Sequence, residues 1–127
     1  MAAISRFEDI DAWKKGRVLV NRIYRLTHER EFAKDLGLKD QIQRAAVSVC
    51  SNIAEGYARR GNKELIKFLW IARGSTAEVC SQLYHAKDLG YANESIHKEL
   101  YELATIISAE LLSLIKALSR NLEYTKV

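Results

Sequence analysis

Apolar residues recur every three or four positions along four stretches of the chain, which is the spacing of amphipathic helices. The stretches span about residues 10–29, 38–60, 63–89 and 94–121. No proline interrupts them, and the links between them are short. The pattern therefore predicts an all-α fold, an up-down-up-down four-helix bundle that forms a single domain over residues 1–127.

Glycine and asparagine residues indicate where these helices end and how closely they pack. We expect Gly61 to stop the second helix, and Asn62 and Asn93 to act as N-caps of the third and fourth. Gly56 and Gly74 lie inside helices, where glycine costs about 1 kcal/mol relative to alanine. Each therefore predicts a close helix crossing. The charged segment 28–34 is expected to be a loop or a frayed helix end.

The composition fits one domain and gives no sign of export. The chain has 127 residues, and no run of about 18 apolar residues occurs in it. The N-terminus lacks the basic-then-apolar order of a signal peptide, so we expect a cytoplasmic protein. Cys50 and Cys80 lie in apolar helical patterns without CxxC spacing, which favours two buried, reduced thiols.

The sequence contains no pattern typical of an active site. We find no Ser-His-Asp order, no glycine-rich phosphate loop and no paired carboxylates. Glu94 and His97 have the Glu-x-x-His spacing of di-iron bundles, but such sites need two of these motifs and two further glutamates. We therefore predict a non-enzymatic protein with no catalytic residue, no metal site and no cofactor.

The positive charge is concentrated in the first part of the chain. Residues 1–73 carry 15 Lys/Arg against 9 Asp/Glu, whereas residues 74–127 carry 5 against 7. A basic segment of this kind favours a nucleic-acid partner. The alternative is that these side chains only solvate helix surfaces.

Several cations lie around the break between the second and third helices or further along the second. With Tyr57 and Trp70 nearby, they form a candidate surface for a phosphate backbone. The alternative is a solvated hairpin end with core aromatics. The candidate nucleic-acid-binding residues are Arg44, Arg59, Arg60, Lys63 and Lys67.

A second polar group lies along the same two helices. Glu55 and Arg59 have the favourable i,i+4 order, which stabilises an exposed helix by about 0.2–0.5 kcal/mol. We interpret the group as a structural network that sets helix register rather than as a ligand site. Its predicted members are Asn52, Glu55, Arg73 and Glu78.

Several segments resemble the four-helix-bundle proteins encoded within intervening sequences of bacterial 23S ribosomal RNA genes, the S23 family. The resemblance covers about residues 6–120. It departs at Cys50, where the family has proline, and at Gln43, where it has arginine. The matching segments are Phe7-Glu8-Asp9, Trp13-Lys14-Lys15, Ile23-Tyr24-Arg25-Leu26-Thr27, Ala45-Ala46-Val47-Ser48, Ser51-Asn52-Ile53-Ala54-Glu55-Gly56 and Ile71-Ala72-Arg73-Gly74-Ser75.

The resemblance implies a homo-oligomer, a pentamer of bundles around an axis. It also implies kinship with accessory proteins of diversity-generating retroelements, which bind nucleic acid and a reverse transcriptase. Our leading hypothesis is a nucleic-acid-associated accessory protein that binds RNA or DNA phosphates. The alternative is a scaffold for a protein partner, for example a reverse transcriptase. A third hypothesis is a helix-turn-helix regulator at residues 58–69.

Overall fold

The computed structural model describes the backbone of residues 4–125 and the side chains of residues 4–120. The described backbone forms an all-α four-helix bundle, as predicted. Short 3₁₀ turns, Phe7–Asp9 and Arg30–Lys34, precede the first and second helices. The helices are α1 (Asp11–Thr27), α2 (Leu36–Ala58), α3 (Asn62–Asp88) and α4 (Glu94–Thr125).

The four helices enclose one continuous apolar core. α3 packs against α2 and α4, and α1 completes the bundle by packing against the same two helices. The predicted stripes of α2 and α3 face this core, because their side chains alternate by three and four positions and so stay on one side of the helix. Fully enclosed residues include Leu19, Ile23, Ile42, Val49, Ile53, Leu69, Val79, Leu83, Ile107 and Leu111.

One position departs from the predicted core. Phe32, in the segment expected to be a loop or a frayed helix end, is 1% exposed, because the 3₁₀ turn folds its ring inward. A single apolar ring in a charged segment produces no helical periodicity, so the pattern does not indicate that Phe32 belongs to the core.

One end of the bundle, here the link end, holds the α1–α2 and α3–α4 connections. The Asp35 side chain accepts hydrogen bonds from the Leu38 amide (3.1 Å) and the Tyr91 hydroxyl (2.9 Å). The Phe32 and Tyr91 rings stack at 4.7 Å between centroids. Asn93 caps α4 as predicted, since its Oδ1 accepts from the Ile96 amide at 2.8 Å. Side chains thus fix the connections at this end.

The opposite end, here the hairpin end, holds the α2–α3 connection at residues 59–61. Arg60 and Gly61 both have positive φ, at 54° and 128°, and reverse the chain within three residues. The prediction for Asn62 is wrong. Gly61 is the N-cap of α3 without a side-chain bond, and Asn62 is already the first helical residue. The backbone of Gly61 has a positive φ that glycine adopts without strain, so it makes the turn without the help of a polar side chain.

The two helical glycines have different surroundings. A Cβ on Gly56 would lie 2.6 Å from Phe68 Cβ, so this glycine permits the close approach of α2 and α3, as predicted. A Cβ on Gly74 would meet nothing within 4 Å, so the predicted crossing at this position is wrong. Gly74 lies on the exposed side of α3 within this chain.

No helix in the described part of the chain, residues 4–125, has both the length and the apolar character needed to cross a membrane. α4 is the longest at 32 residues, but it carries charged side chains throughout.

Candidate nucleic-acid interface

The hairpin end gathers four of the five predicted cations, and Arg59 is the most constrained of them. Its guanidinium is 3.0 Å from Glu55 and 3.8 Å from Glu64. It also lies over the Phe68 ring, 5.1 Å from the centroid. Two carboxylates therefore already neutralise Arg59, and its contacts join the end of α2 to the start of α3.

The other three cations at this end have no such acidic partner. Arg60, Lys63 and Lys67 are exposed, and none forms an ion pair within the part of the chain with described side chains. Lys67 Nζ lies 5.9 Å from the Phe68 ring centroid. Their charge is therefore available to an external anion, because no carboxylate of the same chain neutralises it.

A surface depression of about 670 Å³ lies beside these cations. Its lining includes Tyr57, Arg60, Asn62 and Leu65. The Tyr57 hydroxyl donates to the Ile4 carbonyl oxygen at 3.2 Å, which ties the N-terminal segment to this wall. The first amides of α3 have no side-chain cap here, so the positive end of the helix dipole faces the same region.

Arg44 lies apart from the cluster. It precedes Arg59 by 15 positions on α2, which corresponds to ~22 Å along the helix axis. Its Nε is 2.9 Å from the Asp40 carboxylate, in an exposed i,i+4 pair. Sequence proximity to the basic half suggested a shared surface, but the axial rise of α2 separates Arg44 from the hairpin end.

The predicted polar network does not form as one connected group among the described side chains. Asn52 donates within its own helix, to the carbonyl and hydroxyl of Ser48 at 2.8 and 2.9 Å. The Ser75 hydroxyl then joins α3 to α2 by donating to Ser48 Oγ at 2.9 Å. Ser48 and Ser75 thus make the interhelical bond. The sequence indicates Ser75 as one of the polar residues along α3, whereas Ser48 appears only as a small residue in the stripe of α2.

The remaining predicted members have other partners. Glu55 pairs with Arg59, whereas Arg73 turns toward α4 and donates from Nε to the Ser108 carbonyl at 3.3 Å. The Arg73 guanidinium also lies 5.7 Å from the centroid of Trp70, which is 49% exposed and therefore not a core residue. Glu78 is exposed on α3.

An aromatic cluster lies between α3 and α4 near the link end. The Tyr84 ring is 4.9 Å from His97 and 5.4 Å from Tyr101 between centroids. His97 Nε2 is buried and has no hydrogen-bond partner in the described part of the chain. Leaving such an atom unsatisfied costs about 1–3 kcal/mol. In the sequence, the Glu-x-x-His spacing indicates His97 only as a possible metal ligand, and no pattern relates it to Tyr84 and Tyr101.

The two thiols are free, and burial disfavours their ionisation. Cys50 Sγ would lie 2.8 Å from a Cβ placed on Gly16, so the thiol fills the space that this glycine leaves. Burial raises the pKa of the Cys50 thiol to about 11. Burial also raises the pKa of the Cys80 thiol. Neither has the lowered pKa of a reactive cysteine.

Most of the sequence matches one known protein family. The family model described as "23S rRNA-intervening sequence protein" matches residues 8–113, which is most of the sequence. The chain belongs to the 23S rRNA-intervening sequence protein family. No curated protein matches the sequence.

A solved structure shares the fold of this 23S rRNA-intervening sequence protein. It is a protein of unknown function from the S23 ribosomal protein family of Bacteroides thetaiotaomicron. The two are 23% identical with a TM-score of 0.75, and the match covers 83% of this chain and 98% of the other. At this identity the likeness establishes the bundle architecture only.

The structure also bears on the Glu-x-x-His metal site and on the helix-turn-helix hypothesis. Glu94 is exposed and pairs with Lys87 at 2.9 Å, whereas the His97 ring packs on tyrosines. In the described part of the chain, no group of three or more His, Cys, Asp or Glu is arranged to hold a metal ion. α2 and α3 are 23 and 27 residues long, which is unlike the short recognition unit of a helix-turn-helix.

Proposed function

We propose that this 23S rRNA-intervening sequence protein is a non-enzymatic accessory protein that binds the phosphate backbone of RNA or DNA through its hairpin end. The observation that carries the proposal is the group of exposed cations without an acidic partner, Arg60, Lys63 and Lys67. Lys and Arg side chains of this kind supply most of the affinity for nucleic acid, because they displace counterions from the phosphates.

Two features beside the cations support a phosphate ligand. The uncapped start of α3 directs backbone amides and positive dipole charge toward the depression. Tyr57 and Asn62 add polar groups to the same wall. In this proposal Arg59 is a positioning residue, because its ion pairs with Glu55 and Glu64 hold the end of α2 against the start of α3.

The proposal includes a homo-oligomeric ring, a pentamer by the family resemblance. A ring repeats the modest cluster of each subunit and raises avidity without a new kind of contact. Light scattering tests this part independently, since a pentamer has about five times the 14.5 kDa mass of the chain. A monomer mass would overturn the ring but leave phosphate binding open to its own test.

The test of phosphate binding is a fluorescence anisotropy titration of a structured RNA and a matched DNA duplex at several salt concentrations. The Arg60→Gln/Lys63→Gln variant removes two charges at the hairpin end. Because each phosphate contact contributes about 0.9 to the salt slope on B-DNA, we expect the slope to fall by about 2.

The matched control is Arg25→Gln/Lys98→Gln, which removes the same charge from exposed positions near the link end. Its slope should stay close to that of the unmodified protein. Equal slopes in the two variants would place the binding elsewhere, and an affinity that does not change with salt would exclude phosphate binding.

One observation favours the second candidate function, a scaffold for a protein partner such as a reverse transcriptase. Trp70 and Ile71 are 49% and 44% exposed on α3, and exposed aromatic residues are enriched at protein interfaces. If neither RNA nor DNA binds at low salt, the Trp70→Ala variant tests this role by loss of a candidate protein partner in a binding assay.

A further inference from the structure

A groove of about 470 Å³ runs between α3 and α4, away from the hairpin end. Its walls include Ala77, Ser81 and Tyr84 on α3, and Tyr101, Thr105 and Ser108 on α4. The volume is within the range of small-ligand clefts, roughly 300–1,000 Å³. Nothing in the phosphate-binding site accounts for this groove.

The groove offers an aromatic surface that is fixed in place. Tyr84 is 49% exposed, but its ring packs edge-on against Tyr101 and at a tilt against the buried ring of His97. His97 itself is 6% exposed. The contacts on the inner side restrict the tyrosine ring, so that its outer surface is available for a planar ligand at little entropic cost.

The polar groups of the groove are neutral. Ser81 and Ser108 carry hydroxyl groups that can both donate and accept hydrogen bonds, as the edges of nucleobases require. The Thr105 hydroxyl donates to the Tyr101 carbonyl oxygen at 2.9 Å and can still accept. No Asp, Glu, Lys or Arg is among the described residues that line the groove. Burial raises the pKa of the Cys80 thiol in its wall, which keeps that group neutral as well. A neutral lining suits a base rather than a phosphate.

α3 joins this groove to the cations of the hairpin end. Lys63, Trp70, Ala77 and Tyr84 follow one another at intervals of seven residues, so they lie along one side of the helix. Arg73 lies at the near end of the groove, where its Nε donates to the Ser108 carbonyl at 3.3 Å. One side of α3 therefore carries a cation at the hairpin end, followed by two exposed aromatic rings, Trp70 and Tyr84. Surfaces that bind single strands combine the same two kinds of side chain.

We infer that the α3–α4 groove accepts an unstacked nucleobase of a single-stranded nucleic acid, which stacks on Tyr84. The inference rests on the proposed phosphate binding for the strand, and it adds a preference for single strands over duplexes. A duplex keeps its bases stacked and paired, so only the hairpin cations would contact it.

The test uses a ten-nucleotide single strand with one 2-aminopurine base, and the duplex of the same sequence. Stacking on a tyrosine should change the 2-aminopurine fluorescence on binding. Because stacking on an aromatic ring contributes substantially for each base, Tyr84→Leu should weaken single-strand binding about fivefold or more. Duplex affinity and the salt slope should not change.

Two variants serve as controls. Tyr84→Phe keeps the ring and should bind like the unmodified protein. Tyr24→Leu removes another exposed tyrosine that packs on a histidine, His28, but lies on α1 outside the groove. It should also leave single-strand affinity unchanged. Equal single-strand affinity in Tyr84→Leu and Tyr24→Leu would overturn the inference.

A titration of the unmodified protein with adenosine, followed by NMR, tests base binding in the groove even if Tyr84→Leu fails to fold. Shifts confined to the amides of Ala77, Tyr84 and Thr105 support the groove, and no shifts there at millimolar adenosine overturn it. Shifts with free adenosine but not with the strand would indicate a nucleoside site, which overturns the single-strand assignment.

The two proposals fail separately. If Arg60→Gln/Lys63→Gln binds the single strand normally while Tyr84→Leu does not, the assignment of phosphate binding to the hairpin cations is wrong. The assignment of the base to the groove is then supported. If the salt slope of the hairpin variant falls as expected while Tyr84→Leu still binds the single strand normally, the assignment of the base to the groove is wrong. Phosphate binding at the hairpin end is then supported.

Discussion

At the link end, Phe32, Tyr91 and Asp35 close the bundle with a buried ring, a stacked ring and a capping carboxylate. At the hairpin end, Arg60 and Gly61 turn the chain without a capping side chain, and the neighbouring cations are exposed. At the link end, the Asp35 carboxylate is hydrogen-bonded within the chain. At the hairpin end, the first amides of α3 have no side-chain cap. The contrast separates an end whose caps lie within the chain from an end whose cations remain exposed, where we propose binding.

The difference has a physical basis in how polar groups are satisfied. At the link end, Phe32 and Ala92 are buried, and Asp35 and Asn93 accept hydrogen bonds from the first amides of α2 and α4. At the hairpin end, residues 59–61 are all exposed, so water can satisfy their polar groups. Amides and cations at the hairpin end therefore keep their capacity to bind an anion.

The largest effect should come from truncating the ring that fills the link end. Phe32→Ala removes a side chain that is 1% exposed, and we expect a loss of about 3–5 kcal/mol in the free energy of unfolding. Urea denaturation followed by circular dichroism measures it. Phe7→Ala is the matched control, since Phe7 is only half-buried, against Trp13 near the hairpin end. A greater loss in Phe7→Ala would reverse the comparison.

The two helical glycines test where α2 and α3 approach closely, which is at Gly56 near the hairpin end and not at Gly74 midway along α3. Gly56→Ala forces a methyl group against Phe68 Cβ, where the available distance is 2.6 Å, and we expect a loss of about 1–3 kcal/mol. Gly74→Ala meets no neighbour and should stabilise the chain by about 0.5–1 kcal/mol, through helix propensity. Urea midpoints compare the two. Stabilisation by both substitutions would contradict the close approach.

The caps provide a direct comparison of the two ends. Asp35→Ala removes the acceptor of the Leu38 amide and the Tyr91 hydroxyl, so we expect a loss of about 1–2 kcal/mol. Asn62→Ala changes the first residue of α3, which caps nothing, and should stay within about 0.5 kcal/mol. Thermal unfolding at one pH measures both. Similar losses in the two variants would show that Asn62 is a cap after all.

The smallest of the expected losses is a loss of stability at alkaline pH from Cys50. Burial raises the pKa of its thiol from the usual 9.0 to about 11, so the folded state holds the thiol proton more tightly. The contribution is complete below pH 9 and is lost as the pH rises toward 11. Because the thiol keeps some contact with solvent, we expect about 1 kcal/mol.

Denaturation at several pH values between 8 and 11, on the unmodified protein and Cys50→Ala, measures this contribution. The variant should lose less stability over that interval. The raised pKa values of Lys15 and Tyr91 act in the same direction but are common to both proteins, so the difference isolates Cys50. Parallel curves would show that the thiol titrates normally in the folded state.

Much of the fold could be predicted from the sequence, because each helix displays its own periodicity. The bounds of α3, expected at about 63–89, are 62–88 in the structure. Phe32 escaped prediction since a lone ring in a charged segment has no period. Gly56 and Gly74 have the same local signal, and only the position of Phe68 distinguishes a crossing from an open surface.

The candidate site could be predicted only in part. The clustering of Arg59, Arg60 and Lys63 follows from their closeness in the chain, and so does the Glu55–Arg59 pair. The second acidic partner of Arg59, Glu64, depends on how the hairpin turns. The interhelical Ser48–Ser75 bond joins residues 27 positions apart, which no local pattern relates.

The sequence by itself determined the helices, their core-facing stripes and the family, because periodicity and short motifs are local properties of the chain. Only the tertiary structure decided which cations lack an acidic partner, which glycine lies at a crossing, and that Tyr84, His97 and Tyr101 meet at a groove. These are relations between helices. They depend on helix register and rotation, which packing in three dimensions sets.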